Sequence, residues 1–373
     1  MPLRNHFVVA LLLSVLFFIS CATKEAPLYP ISGTVSNLEE NYVFLSKIED
    51  VQGKKVVLID TLFINEFGTF HYKKPLESAI YSLKFDHKKT IPLAFEKGQH
   101  ILINGSHLDS LAISGSKDTR LLLDYEAYRK ESLNRLVNSV RKEIKVLKKE
   151  NVTEGKITEL REVEVENYKT HLKELTSFIQ ENMGTSIAIY PTSIRWNNEN
   201  ITAYEQIVAD FRIAHPAIEI TKKLENRVDL LQKTAIGSFV SNIEMPSKNG
   251  EIIQLNDVKK TYTLIDFWAS WCPPCRTESS LLKELHSTYN LNGFKIYGIS
   301  LDSKKQRWLD ALEKDQRVWT NVSTVQGFKT PIAQEFGITA LPTNFIIDSE
   351  GKIIASNIHG KHLKKLVDEL FKI

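Results

Sequence analysis

Residues 267–278 read "FWASWCPPCRTE" and hold two of the three cysteines of this 373-residue chain. A cysteine pair with two residues between its members can be a structural disulfide, half of a metal site, or a redox couple. Structural zinc takes four Cys or His ligands. The third cysteine, Cys21, sits beside an apolar N-terminal run, and the ten histidines show no HxxxH spacing. Zinc is therefore not expected. A static disulfide closing so short a loop would remove little unfolded-state entropy. The redox use has positive support. "YTLIDFWA" ahead of the pair reads as a buried strand, and "CPPCRTESSLLKELHSTY" reads as the start of a helix. Cys272 then lies at a helix N-terminus, where unpaired N–H groups and the helix dipole stabilise a thiolate. Cys272 is the expected attacking sulfur. Cys275, one turn inside, is the expected buried, resolving sulfur. Pro273 and Pro274 have no N–H, so neither can donate to the Cys272 thiolate. Fewer donors leave that thiol less acidic and the dithiol more reducing, which points to a reductase or an exchanger.

The elements around the pair fall into three styles. Residues 29–117 hold short β-branched and aromatic runs bounded by Gly, Asn, Asp or Pro, which predicts an antiparallel sandwich-like domain. "NEFG" and "EKGQ" read there as hairpin turns. Residues 118–233 show apolar residues at helical spacing with dense charge between them. The run "RKEIKVLKKE" at 141–150 reads as a solvated helix face. Residues 234–373 alternate strand and helix and then turn through a hairpin at Ser349, Glu350 and Gly351, which predicts an α/β sheet with one antiparallel edge. A net charge of +3 gives no sign of a nucleic-acid binder.

The N-terminus predicts export. Arg4 and His6 precede the apolar run 7–19, too short for a comfortable membrane span. "FISC", ending at Cys21, resembles a bacterial lipoprotein box, with Phe18 in place of the usual Leu. It implies a signal peptide over 1–20, a lipid on Cys21, and a polar tether over 21–28. With Cys21 lipidated, Cys272 and Cys275 have only each other.

"LIDFWASWCPPCR" together with "GITALPTNFIIDSEGK" resembles the thioredoxin superfamily, and most closely the membrane-tethered TlpA/ResA-like thiol-disulfide oxidoreductases. "YGISLD" followed by Trp308 fits the same group, over roughly residues 235–373. The segments before it resemble, more weakly, the N-terminal regions of exported thioredoxin-like lipoproteins of Bacteroidota. The resemblance implies a thioredoxin-like fold and no cofactor beyond a Cys272–Cys275 disulfide. It implies disulfide-bearing exported proteins as substrates, among them apocytochrome c, and a membrane reductant of the DsbD/CcdA type. It also implies residue roles. Trp271 covers the disulfide, and Pro342 is a cis-proline that sets the backbone of Leu341 beside Cys272 to pair with a substrate strand. Asp266 and Glu278 both match acids that could exchange a proton with the resolving cysteine, and the choice between them stays open. Glu278 also reads as a first-turn carboxylate favoured by the helix dipole. Two other functions compete. A peroxiredoxin shares this fold but needs T-x-x-C, and Ala269 stands where its threonine would be. A binding protein with a thioredoxin-like scaffold would not need both cysteines.

Overall fold

The computed structural model describes residues 28–150 and 153–372. Cys21 and the apolar run before it lie outside the described residues. Among the described residues no helix is long and apolar enough to cross a membrane.

Eight strands form the first layer. They are β1 (Ile31–Val35), β2 (Tyr42–Asp50), β3 (Lys55–Phe63), β4 (Thr69–Tyr72), β5 (Ala79–Phe85), β6 (Lys89–Phe95), β7 (Ile101–Gly105) and β8 (Ala112–Ser114). They build two four-stranded sheets, ordered β4-β1-β7-β8 and β3-β2-β5-β6. Alternate residues such as Ile31, Val43, Leu45, Phe70, Leu83, Phe85 and Ile103 point inward and share one apolar core. Two expectations need correction. The sheets are not purely antiparallel, because β1 and β7 pair in parallel with Ile31 opposite Ile101. "NEFG" and "EKGQ" do not close hairpins either, since β3 and β4, like β6 and β7, belong to different sheets. Gly68 shows the cause. It has φ +76°, and a Cβ there would meet Val35 O at 2.5 Å. The turn is docked on the end of β1, where Val35 N–H donates to Gly68 O at 2.9 Å. The chain leaving it therefore pairs with β1 rather than folding back on β3.

The helical layer begins on this sandwich. Ser116 caps α1 (Lys117–Leu133), accepting the Thr119 N–H at 3.0 Å and donating to Ala94 O of β6 at 2.9 Å. A π turn at Asn134–Asn138 joins α1 to α2 (Ser139–Lys149). Then come α3 (Glu154–Phe178), α4 (Ile189–Thr192), α5 (Ile201–Ala214) and α6 (Glu219–Gln232). Trp196 stacks on Tyr204 with ring centroids 4.4 Å apart, inside a core that includes Phe211 and Leu224. Most of the 141–150 run is solvated, as its charge pattern predicts, with Ile144 buried. Arg141 departs from that reading by reaching across to the buried Glu164 of α3 at 2.6 Å.

The remaining chain is α/β. It contains β9 (Glu244–Pro246), β10 (Ile252–Gln254), α7 (Leu255–Val258), β11 (Tyr262–Trp268), α8 (Pro273–Tyr289) and β12 (Phe294–Ser300). It continues through α9 (Lys305–Lys314), β13 (Thr320–Val322), α10 (Pro331–Glu335), β14 (Thr343–Asp348), β15 (Ile353–Ser356) and α11 (Gly360–Leu370). The main sheet is ordered β13-β12-β11-β14-β15. Strands β11, β12 and β13 run parallel, while β14 is antiparallel to both β11 and β15. The antiparallel strand is thus inside the sheet and not at its edge. β11 is buried on both faces, which is why it reads as a continuous apolar run. Leu264 packs toward α8 and α11 with Leu282 and Leu363, and Phe267 packs oppositely with Phe336 and Ile338.

Candidate active site

Cys272 ends the loop after β11 and is the N-cap of α8, with its Sγ accepting the Cys275 N–H at 3.3 Å. Pro273 and Pro274 fill the first two helical positions, where a missing N–H is tolerated. The prolines remove two donors, as their chemistry requires, but one donor to the Cys272 sulfur remains. Cys272 and Cys275 are joined, S–S 2.03 Å, and are 3% and 1% exposed. Buried Trp268, Trp308 and Ala311 pack around the pair. The preceding loop is held from both sides. Asp302 accepts the Ser270 N–H at 2.9 Å and the Ser270 hydroxyl at 2.6 Å. Arg276 donates to Ser270 O at 3.1 Å and is paired with Asp315. The "SLD" that ends "YGISLD" therefore has a local duty, to anchor the turn that delivers Cys272.

Asp266 is buried, and its Oδ2 is taken by the Arg317 Nη1 at 2.9 Å. Arg317 is itself fully buried. It also donates to Ser279 Oγ at 2.9 Å and to Cys275 O at 3.2 Å, and it lies 3.8 Å from the Trp268 ring centroid. Burial pushes the Asp266 carboxyl up, and the Arg317 charge opposes that shift. Nothing in the spacing around "KDQRVWT" marks Arg317 as a site residue, so sequence reasoning missed it.

Glu278 lies in the second turn of α8, so the first-turn reading is corrected. It is buried. It accepts the Gly360 N–H at 2.9 Å and pairs with His359 Nδ1 at 3.0 Å. Burial alone would raise its carboxyl, but the charge and hydrogen bond of His359 and the Gly360 N–H hold it below the usual range. A raised carboxyl, expected for either buried acid, is thus the case for Asp266 and not for Glu278. His359 is a further residue that the sequence did not mark.

On the outer side Cys272 lines a cleft of about 580 Å³. The Leu341–Pro342 peptide is cis, and both residues line the cleft with Cys272. Trp271 does so too, yet it is 48% exposed at the rim beside Phe328, while Trp268 and Trp308 do the covering from within. The opposite wall comes from the helical layer, through Arg161, Val165, Tyr168 and Leu172 of α3 and residues 195–199. That contribution was not anticipated. The 4-3-4 spacing of the α3 residues is a legible helical stripe, but its target was not. Several contacts hold the layers together, and in one of them Asn357 Nδ2 donates to Asn198 Oδ1 at 3.3 Å. The buried Arg227 of α6 donates to Trp196 O at 2.6 Å and to Gly337 O at 3.4 Å. Gly360 abuts Glu162 of α3, whose Oε1 would be 2.6 Å from a Cβ.

A family model described as the AhpC/TSA family matches residues 236–356, and one described as a domain of unknown function, DUF4369, matches residues 29–122. The thiol-disulfide oxidoreductase ResA of Bacillus thuringiensis subsp. konkukian is 31% identical over 149 residues, 38% of this chain and 79% of that protein. The chain belongs to the ResA-like thiol-disulfide oxidoreductases. ResA of Bacillus subtilis is 25% identical over 118 residues, 32% of this chain and 64% of that protein. A solved thiol-disulfide oxidoreductase from Bacteroides fragilis is 33% identical, with a TM-score of 0.34 over 36% of this chain and 100% of that one. Residues 236–356, matched by the AhpC/TSA model, hold both cysteines, Asp266, Glu278 and Pro342. The residues of α3 that line the cleft stand before them.

Proposed function

We propose that this oxidoreductase is anchored by lipid on Cys21, faces the periplasm, and reduces or exchanges disulfides of exported proteins, apocytochrome c among them. The observation that carries the redox reading is the Cys272–Cys275 disulfide, buried at a helix N-terminus with Cys272 on the wall of a cleft. In the reduced enzyme the Cys272 thiolate attacks a substrate disulfide. One substrate S–S bond breaks, a Cys272–substrate bond forms, and the first substrate sulfur leaves and takes from solvent the proton that Cys272 released there on becoming a thiolate. Cys275 gives up its proton and attacks Cys272 Sγ, so the mixed disulfide breaks and the second substrate sulfur leaves and is protonated. Two electrons and two protons have passed to substrate, and Cys272–Cys275 is oxidised. The raised carboxyl of Asp266 suits it better than Glu278 to take the Cys275 proton. A membrane dithiol of the DsbD/CcdA type resets the pair.

The deciding experiment is Cys275→Ser in the anchored protein. It should accumulate a mixed disulfide on Cys272 with exported, cysteine-bearing proteins, identifiable by mass spectrometry after thiol-blocking, and Cys272→Ser should accumulate none. A couple potential near the oxidant value of about −120 mV would sink the reductant direction. The AhpC/TSA match keeps a peroxide assay worthwhile, because rapid peroxide consumption by the reduced protein would favour the peroxidase reading instead. Cys21→Ala should move the protein from the membrane to the soluble envelope fraction.

A further inference from the structure

The position of α3 bears on what can reach the sulfurs. Cys272 is 3% exposed, and it lines the cleft that α3 walls off from the other side. Val165, Tyr168 and Leu172 recur at helical spacing and are only partly buried, although the C-terminal end of α3 packs into the helical core through Leu175 and Phe178. They share the cleft with Pro274 and Leu341. A face of Val165, Tyr168 and Leu172, flanked by Arg161, Glu164 and Lys169, is thus held across a gap from the disulfide loop without filling it. The gap is maintained, because Arg227 ties the helical layer to Gly337 and Gly360 is packed against Glu162. Its volume of about 580 Å³ lies within the range that encloses a small molecule or a short peptide, about 300–1,000 Å³.

A disulfide set in a folded surface brings a broad, convex neighbourhood with it, and two fixed walls exclude that shape. An extended chain does not suffer this exclusion. It presents side chains alternately to two sides, here to the α3 stripe and to the Pro274–Leu341 side, while its cysteine meets Cys272. We propose that the helical layer is the second jaw of a substrate cleft that admits a cysteine-bearing segment of unfolded, extended polypeptide and excludes disulfides of folded surfaces. This rests on the thiol-disulfide reading and adds to it a substrate class and residues outside the matched span 236–356.

The test uses the full chain in its reduced form and three disulfides: the small aromatic disulfide 5,5′-dithiobis(2-nitrobenzoate), an unstructured peptide with one internal disulfide, and a stably folded disulfide-bonded protein. The peptide should be reduced far faster than the folded protein. Tyr168→Ser with Leu172→Ser should raise the KM for the peptide about tenfold with kcat retained, the loss of apolar contact expected from one to two side chains. Val165→Ser, a smaller change, should give the same split at lower amplitude if the double variant fails to fold. Equal reduction of the folded protein, or a peptide KM unmoved in these variants, overturns the proposal while the oxidoreductase reading stands. Failure of the wild type to reduce even the small disulfide sinks that reading and this proposal with it.

Discussion

At the residue scale, the inner face of the redox site turns on Arg317 and Asp266. Two opposite charges are buried within 2.9 Å of each other. Removing one partner of such a pair leaves the other desolvated and unpaired. Arg317→Met should cost about 3–5 kcal/mol in urea denaturation, while Asp266→Leu with Arg317→Met should recover much of it. Equal losses in the two variants would mean that the carboxylate is not held as an ion there. His171 is a second buried titratable group, hydrogen-bonded to Ser132 Oγ at 2.8 Å. Burial, aided by the Arg129 and Arg195 charges, pushes its pKa down from 6.5 to about 4. The folded state keeps it neutral while the unfolded chain takes a proton below pH 6.5. Stability is therefore full above that pH and falls as pH drops toward 4, because the unfolded state binds more protons in this window. His171→Gln should flatten the decline of the urea midpoint between pH 7 and 4.5, and an unchanged slope would assign the decline to other groups.

At the element scale, the junction of sandwich and helices rests on Thr119. Its hydroxyl accepts the Ala94 N–H at 3.1 Å and donates to Ala94 O at 3.0 Å, tying the first turn of α1 to β6. Thr119→Val should cost about 1–3 kcal/mol, since it strands the Ala94 N–H while Ala94 O keeps the Ser116 hydroxyl, and Thr119→Ser should restore most of it. Calorimetry on both variants checks this. The elements also show how far local pattern reaches. The long amphipathic helices and the buried strand before Cys272 were legible because their side-chain periods are local. "NEFG" and "EKGQ" carried a turn signal without saying which sheet the chain would enter next. Three-residue strands such as β9, β10 and β13 are too short for any period to register.

At the scale of the whole molecule, Arg227 links the helical layer to the loop that leads to Pro342. Its donations to Ser193 O at 3.2 Å, Trp196 O at 2.6 Å and Gly337 O at 3.4 Å join segments distant in sequence. Arg227→Met should speed hydrogen exchange at residues 336–342 while leaving residues 31–114 unchanged. Unaltered exchange at 336–342 would show that the loop is held by its own packing and not by the helical layer.

The pairing of Cys272 with Cys275, the prolines between them and the strand-to-helix setting were determined within one stretch of chain, where spacing alone fixes geometry. Tertiary structure decided the rest. The partners of Asp266 and Glu278 lie 51 and 81 residues away, and the second wall of the cleft comes from α3, about a hundred positions before Cys272. A helical or strand period reports which face of an element is apolar. It does not report what that face will meet, and in this protein the meeting of α3 with the disulfide loop shapes the entrance to the site.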